Sequence, residues 1–273
     1  MICSGGSNTM NTHLPPAQTA LITGASSGIG LELARLFAAD GCNLILVARS
    51  ADKLGLLAAA LKGQHKIEAF AVPIDLTEPG APEELFRVLD EQGIGVDVLV
   101  NNAGFGTHGL FADSDLHAEL QMIQVNVTAL VHLTRLFLPN MLMNRTGRIL
   151  NVASTAAFQP GPYMAGYYAS KAFVLSFSEA IDAELQGSGV TVTALCPGPT
   201  DTGFQKRAGM EATPLFKANT MTSADVARIG YRAMLKGRRV VITGSKNKLL
   251  AFSTRLAPRK LVTAIAKKLN GAR

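Results

Sequence analysis

The chain has 273 residues, of which 48% are hydrophobic and 17% charged, and a formal net charge of +6. This suits one compact α/β domain and excludes a fibrous or disordered chain, while no run approaches the ~20 apolar residues needed to span a bilayer. Three scattered cysteines (Cys3, Cys42, Cys196) give no disulfide framework and point to a reducing, cytoplasmic setting; neither they nor the five histidines have metal-ligand spacing, so no metal is expected.

Residues 1–17 are Ser-, Asn-, Thr- and Pro-rich, with neither the basic start nor the apolar run of a secretory signal. They read as a flexible extension. From residue 18, short Val/Ile/Leu-rich runs alternate with helix-period segments. The strand candidates are 19–23, 43–48, 67–74, 96–101, 147–153, 190–196 and 240–243. The helix candidates are 29–39, 51–62, 82–92, 115–144, 167–185 and 223–235. Several of the runs lack in/out alternation, as strands buried on both faces do. Strand–helix repetition of this kind implies right-handed crossovers and a doubly wound, Rossmann-like parallel sheet of about seven strands. No linker or repeat interrupts residues 18–244, which are expected to form a single catalytic domain.

The first strand runs into Thr23-Gly24-Ala25-Ser26-Ser27-Gly28-Ile29-Gly30, directly ahead of an amphipathic helix. Glycines allow a tight turn and close approach of backbone to a pyrophosphate, and the helix N-terminus offers free N–H groups and a positive dipole end. Many Gly-rich turns merely connect elements; the position at the first strand–helix junction is what singles this one out. The second strand ends in Ala48-Arg49. An NAD site places a carboxylate near here to read the ribose 2′-hydroxyl, and Ala48 supplies none. A guanidinium suits a 2′-phosphate, which favours NADP(H), although Arg49 as a solvated loop cation is the plain alternative.

Of the four tyrosines, only Tyr167 has a lysine four residues later, Lys171. One helical turn apart, the ammonium can lie near the phenol and pull its pKa of about 10 toward neutrality. A phenol so tuned can exchange a proton with a carbonyl oxygen. Alone, the pair equally describes an exposed helix surface. Ser154 follows a strand end, where ligands bind in open α/β sheets, and Asn126 sits among apolar neighbours in a helical stretch.

Taken together, these pieces resemble the short-chain dehydrogenase/reductase family. The matching residues are Thr23–Gly30, Asp75-Leu76, Asn101-Asn102-Ala103-Gly104, Asn126, Ser154, Tyr167 with Lys171, and Pro197-Gly198-Pro199-Thr200, and they cover roughly residues 18–245. The resemblance implies Tyr167 as general acid/base, Lys171 lowering its pKa and binding the nicotinamide ribose, Ser154 holding the substrate oxygen, and Asn126 positioning a relay water. It implies a cofactor site of Gly24, Ser26, Ser27, Gly28, Ile29, Gly30, Arg49, Asp75, Leu76, Asn102, Ala103, Gly104, Pro197, Gly198 and Thr200. Asp75 and Leu76 would flank the adenine, and Thr200 would contact the carboxamide. It implies homo-oligomers through the two long helices.

Residues 201–221 would form a substrate lid. Gly203, Phe204, Gly209, Met210, Pro214 and Phe216, with Phe105, Phe158 and Met164, suggest a hydrophobic substrate or ordinary loop packing; Lys206, Arg207 and Lys217 could meet an anionic tail or only solvent. No acidic residue follows Asp225, and residues 228–273 hold 13 of the 26 Lys and Arg. In residues 245–273, Leu261, Val262, Ile265 and Leu269 mark one helical face flanked by Lys260, Lys267 and Lys268. Such a helix packs on its own domain or a sister subunit, or lies on an anionic membrane surface. A basic tail without aromatic interleaving does not suggest nucleic acid. The expected function is an NADP(H)-dependent carbonyl/alcohol oxidoreductase. The rivals are an epimerase or dehydratase using bound NAD and a non-catalytic dinucleotide sensor.

Overall fold

The computed structural model describes residue 14, residues 18–208, residue 210 and residues 220–271. The expected N-terminal extension therefore lies almost wholly outside the described residues, as do lid residues Gly209, Pro214, Phe216 and Lys217 and the side chains of Lys206 and Arg207.

Seven parallel strands form the sheet: β1 (Thr19–Thr23), β2 (Asn43–Ala48), β3 (Ala69–Pro73), β4 (Val98–Asn101), β5 (Gly147–Val152), β6 (Val190–Cys196) and, after the two-residue strands β7 (Thr200–Asp201) and β8 (Met221–Thr222), β9 (Val240–Ile242). Their spatial order is β3-β2-β1-β4-β5-β6-β9. The order reverses between β1 and β4, which makes the crevice at their carboxyl ends the switch point where open α/β sheets bind ligands. Leu21, Ile22, Leu44, Ile45, Leu46, Leu99 and Ile149 have no solvent exposure, because helices cover both faces.

The helices are α1 (Gly28–Ala39), α2 (Ala51–His65), α3 (Ala81–Glu91), α4 (Leu116–Ile123), α5 (Ala129–Met143), α6 (Ala165–Glu184), the short α7 (Phe204–Arg207), α8 (Ser223–Leu235), α9 (Ser245–Ser253) and α10 (Arg259–Asn270). On one face α1 packs with α8, where the Phe37 and Tyr231 rings meet edge-on at 4.8 Å. The Tyr231 hydroxyl donates to Asp40 at 2.6 Å. On the other face α3, α5 and α6 bury Leu85, Leu89, Phe137 and Ile181 against the sheet.

Two expectations change. The single helix expected over 115–144 is interrupted by a π turn, Gln124–Thr128, with Asn126 inside it. The Asn126 amide binds the Phe105 backbone on both sides, donating from Nδ2 to the carbonyl at 2.9 Å and accepting the N–H on Oδ1 at 3.1 Å. Serving that loop coincides with the extra residue in the helical turn. In the tail, α10 forms, but of the four apolar residues only Val262 faces the domain; Leu261, Ile265 and Leu269 are 54%, 52% and 40% exposed. Asn270 is completely buried and fixes the helix by its hydrogen bonds, turning the buried face toward Val262, Ala266 and Asn270. Among the described residues, no helix is long and apolar enough to cross a membrane.

Candidate active site

At the switch point lies a cleft of about 500 Å³. Its floor at one end is the glycine loop. Gly24 has φ +67°, a left-handed conformation that costs glycine little. A side chain at Gly30 would place its Cβ 2.4 Å from the Gly24 carbonyl and 2.5 Å from Asn102 Nδ2, so the close packing of helix on loop requires glycine there. Asn102 fastens the loop from β4, donating from Nδ2 to the Thr23 carbonyl at 2.8 Å, while the Thr23 hydroxyl accepts the N–H groups of Asn102 and Ala103, both at 3.0 Å.

The N-cap of α1 is Ser27, whose side chain caps nothing, and the first turn carries no acidic residue. The free N–H groups at this helix end suit a pyrophosphate. Ser26, Ser27, Gly28, Ile29, Arg49, Asp75, Leu76, Asn102, Ala103 and Gly104 all line this end. Arg49 lies 3.9 Å from Asp75 with both side chains partly exposed, so the guanidinium is not consumed by a tight ion pair. Lys53, in the first turn of α2, lines the cleft beside it together with Ser50. Sequence reasoning missed Lys53; its signal was one helical turn of spacing from Arg49. The donors and cations thus fit a dinucleotide, including one with an extra phosphate on its ribose.

At the other end Tyr167, Lys171 and Ser154 converge. Tyr167 and Lys171 share one face of α6, with the Lys171 ammonium 5.9 Å from the Tyr167 ring centre. Lys171 Nζ donates to the Val152 carbonyl at the end of β5, at 2.8 Å. Ser154 follows that strand, and its Oγ accepts the Ala156 N–H at 3.1 Å. Pro197, Gly198 and Thr200 close the far wall, with the Thr200 hydroxyl donating to the Gly198 carbonyl at 2.9 Å.

Burial dominates the protonation of this centre. It pushes the Tyr167 phenol up to about 12, against the opposing pull of the Ser154 hydroxyl. It pushes the Lys171 ammonium down to about 8, with the nearby Cys196 acting the other way. The expectation that Lys171 brings the phenol down is therefore not what dominates here: burial disfavours the phenolate more than the Ser154 hydroxyl favours it. Burial thus favours the proton-bearing form of the phenol.

Asn126 reaches neither Tyr167 nor Lys171 by hydrogen bond; its amide serves the Phe105 backbone and donates to Ser170 Oγ at 3.0 Å. Its Oδ1 lies where a Gly104 Cβ would come within 2.8 Å, so it shapes the cofactor wall from behind. Of the apolar lid residues, Phe204 and Met210 line the cleft with Phe105 and Met164, and the Phe204 ring sits 5.1 Å from that of Tyr167. Phe158 packs instead with Val174, Leu175 and Ala194. Gln159 and Tyr168, not anticipated from sequence, line the same end.

Known proteins share this architecture. The family model for short chain dehydrogenases matches residues 18–212. A ketoacyl reductase, HetN, of Nostoc sp. is 33% identical over 241 residues, covering 88% of this chain and 82% of that protein. A very-long-chain 3-oxoacyl-CoA reductase of Phaeosphaeria nodorum is 37% identical over 185 residues, 65% of this chain and 53% of that one. Among solved structures, a short-chain dehydrogenase from Sphingobium yanoikuyae in complex with NADPH superposes with a TM-score of 0.79 at 32% identity, covering 88% of this chain and 93% of the other. One from Burkholderia phymatum in complex with NAD gives 0.78 at 27% identity, with 87% and 92% covered.

Proposed function

The chain belongs to the short-chain dehydrogenase/reductase family, an oxidoreductase family that works with a nicotinamide dinucleotide, and from that premise we propose that it is an NADPH-dependent reductase of hydrophobic ketones or aldehydes. The observation that carries the reading is the convergence of Tyr167, Ser154 and Lys171 at one end of the cleft whose other end is floored by the glycine loop.

When bound there, a nicotinamide dinucleotide would supply the hydride. Glycine-loop N–H groups and the α1 N-terminus would hold its pyrophosphate, and Arg49, Lys53 and Ser26 would hold a 2′-phosphate. Asp75 and Leu76 would flank the adenine, Asn102, Ala103, Gly104, Pro197 and Gly198 would line the nicotinamide half, and Thr200 would meet the carboxamide. Ser154 donates to the substrate carbonyl oxygen. Tyr167, already carrying its proton, gives it to that oxygen as negative charge develops there. Lys171 adds positive charge near the phenol and would hold the ribose, while Asn126, its amide committed to the Phe105 backbone and Ser170, supports the wall behind Gly104. Phe105, Met164, Phe204 and Met210 exclude water around the carbonyl and favour an apolar substrate. Both ketoacyl-type relatives reduce a keto group borne on an acyl chain according to their names, which agrees with such a cleft.

Steady NADPH consumption on adding a ketone tests the reading against the epimerase and sensor alternatives, neither of which consumes cofactor. Tyr167→Phe should lower turnover at least ~100-fold, the scale of a general acid's contribution, while leaving NADPH affinity intact. Unchanged turnover overturns the assignment.

We further infer a cytoplasmic homo-oligomer. Leu116, Leu120 and Ile123 on α4, Leu142 and Met143 on α5, and Phe173 on α6 are exposed apolar residues on the expected interface helices. A monomer by light scattering at micromolar concentration contradicts this. Besides a sister subunit, the exposed stripe Leu261, Ile265 and Leu269, beside the exposed Lys260, Lys267 and Lys268, suits contact with an anionic membrane surface. Co-flotation with phosphatidylglycerol vesicles, lost when the three apolar residues become Gln, supports that contact; no flotation of the full chain rules it out.

A further inference from the structure

Asn270 is the last residue of α10 and has no solvent exposure. An asparagine there commonly serves its own helix end. This one does not: its side-chain bonds go to residues more than 100 positions earlier. Nδ2 donates to the Pro162 carbonyl at 3.1 Å, and Oδ1 accepts from the Tyr168 hydroxyl at 3.1 Å. The Asn270 main-chain carbonyl accepts from His108 Nε2 at 2.7 Å; since a carbonyl only accepts, that ring nitrogen carries the proton.

Tyr168 lines the substrate end of the cleft, and the other two partners each adjoin a different segment that does. His108 continues the segment that holds Gly104 and Phe105. Pro162 lies in the loop between Gln159 and Met164, both of which line the cleft. Tyr168 stands next to Tyr167 on α6, with the two rings 6.1 Å apart and nearly perpendicular. The loop is held in an unfavourable shape: Tyr163 adopts φ +67°, uncommon for a bulky residue. Such a conformation persists only where its surroundings impose it. Here the Gly109 N–H donates to the Tyr163 carbonyl at 2.9 Å, and Lys267 of α10 sits 6.0 Å over the Tyr163 ring. The tail's last turn thus clamps the loop from outside, while Asn270 fills the point where the three partners meet.

We propose that Asn270 is a specificity-determining positioning residue, drawing His108, Pro162 and Tyr168 together and so setting the shape of the cleft for substrates that extend beyond the reacting carbonyl. The residue touches neither the reacting atoms nor the cofactor end; it acts through Tyr168 and the 159–164 loop. The kinetic consequence rests on the reductase reading, whereas the structural consequence does not.

The test compares the full chain with Asn270→Ala and Asn270→Asp, the latter keeping the shape and the Tyr168 acceptor but losing the donor to Pro162. Each is assayed with a small cyclic ketone and a long-chain aryl ketone, for NADPH affinity, and for amide exchange over residues 159–168. In Asn270→Ala, KM for the extended ketone should rise about tenfold more than KM for the small one, the effect of losing one buried contact, with NADPH affinity within about twofold. Exchange in the loop should quicken by about tenfold, and Asn270→Asp should fall between. Equal changes for both ketones, or unchanged loop exchange, overturn the proposal, and Asn270→Asp decides it in the same terms if Asn270→Ala does not fold. If the chain reduces no ketone, the reductase reading fails, and loop exchange still decides the role of Asn270.

Discussion

The two ends of the cleft are built by different means. The cofactor end is made of backbone: a left-handed Gly24, a Gly30 that admits no Cβ, and an Asn102 that bonds main-chain carbonyls. The substrate end is made of side chains that meet from distant segments, Tyr168 and Asn270 being 102 positions apart. Where backbone geometry makes the demand, only certain residue types satisfy it, and a single sequence displays them. Where side chains meet across the fold, almost any pair of types can do the work, and no local pattern marks them.

That contrast can be broken at several points. The largest effect is expected at Gly30→Ala. The added methyl meets backbone and a pinned amide, an overpacking that costs about 1–3 kcal/mol, so NADPH affinity by calorimetry should fall ~10- to 100-fold. An unchanged affinity would mean that the loop gives way easily and that backbone does not define this end.

Next come the two cations. Arg49→Ala and Lys53→Ala should each weaken NADPH binding by about tenfold or more, the scale of one charge-assisted hydrogen bond, and leave NADH nearly unaffected. Unchanged NADPH affinity would return Arg49 to the role of a solvated cation, and equal loss for both dinucleotides would put its contact on a part they share rather than on the 2′-phosphate.

The smallest effect is a pH limb. With Lys171 brought down to about 8 by burial, its ammonium is present below that pH and lost above it; Tyr167, pushed up to about 12, keeps its proton throughout. Ketone reduction should therefore be level below about pH 8 and decline above it, by at most tenfold per unit. A profile that stays flat to about pH 10 would show that the Lys171 charge does not assist the proton transfer.

Much of this was legible from the chain. The strand runs 19–23, 43–48 and 190–196 coincide with β1, β2 and β6 because sheet strands buried on both faces write themselves as unbroken apolar stretches. The edge strand β3 is shorter than its apolar run, 67–74, because it pairs on one side only and ends at Pro73, which has no N–H. The glycine loop, Ser154, Tyr167 and Lys171 line one cleft, an arrangement that the family resemblance implied and their spacing alone did not. The π turn at Asn126 was not visible, since the contact that accompanies it is to a loop 21 residues away. Nor was the face of α10: an apolar count favours Leu261, Ile265 and Leu269, whereas one buried amide decides the packing.

The central claim is that this site passes a hydride to a carbonyl carbon while Tyr167 protonates its oxygen. Incubating the wild-type chain with NADPH deuterated at both C4 positions of the nicotinamide and an apolar ketone, then reading the alcohol by mass spectrometry, tests it most directly. One deuterium per molecule on the carbinol carbon, formed in step with NADPH consumption, is the predicted result; turnover without label transfer, or no turnover with any ketone, contradicts it.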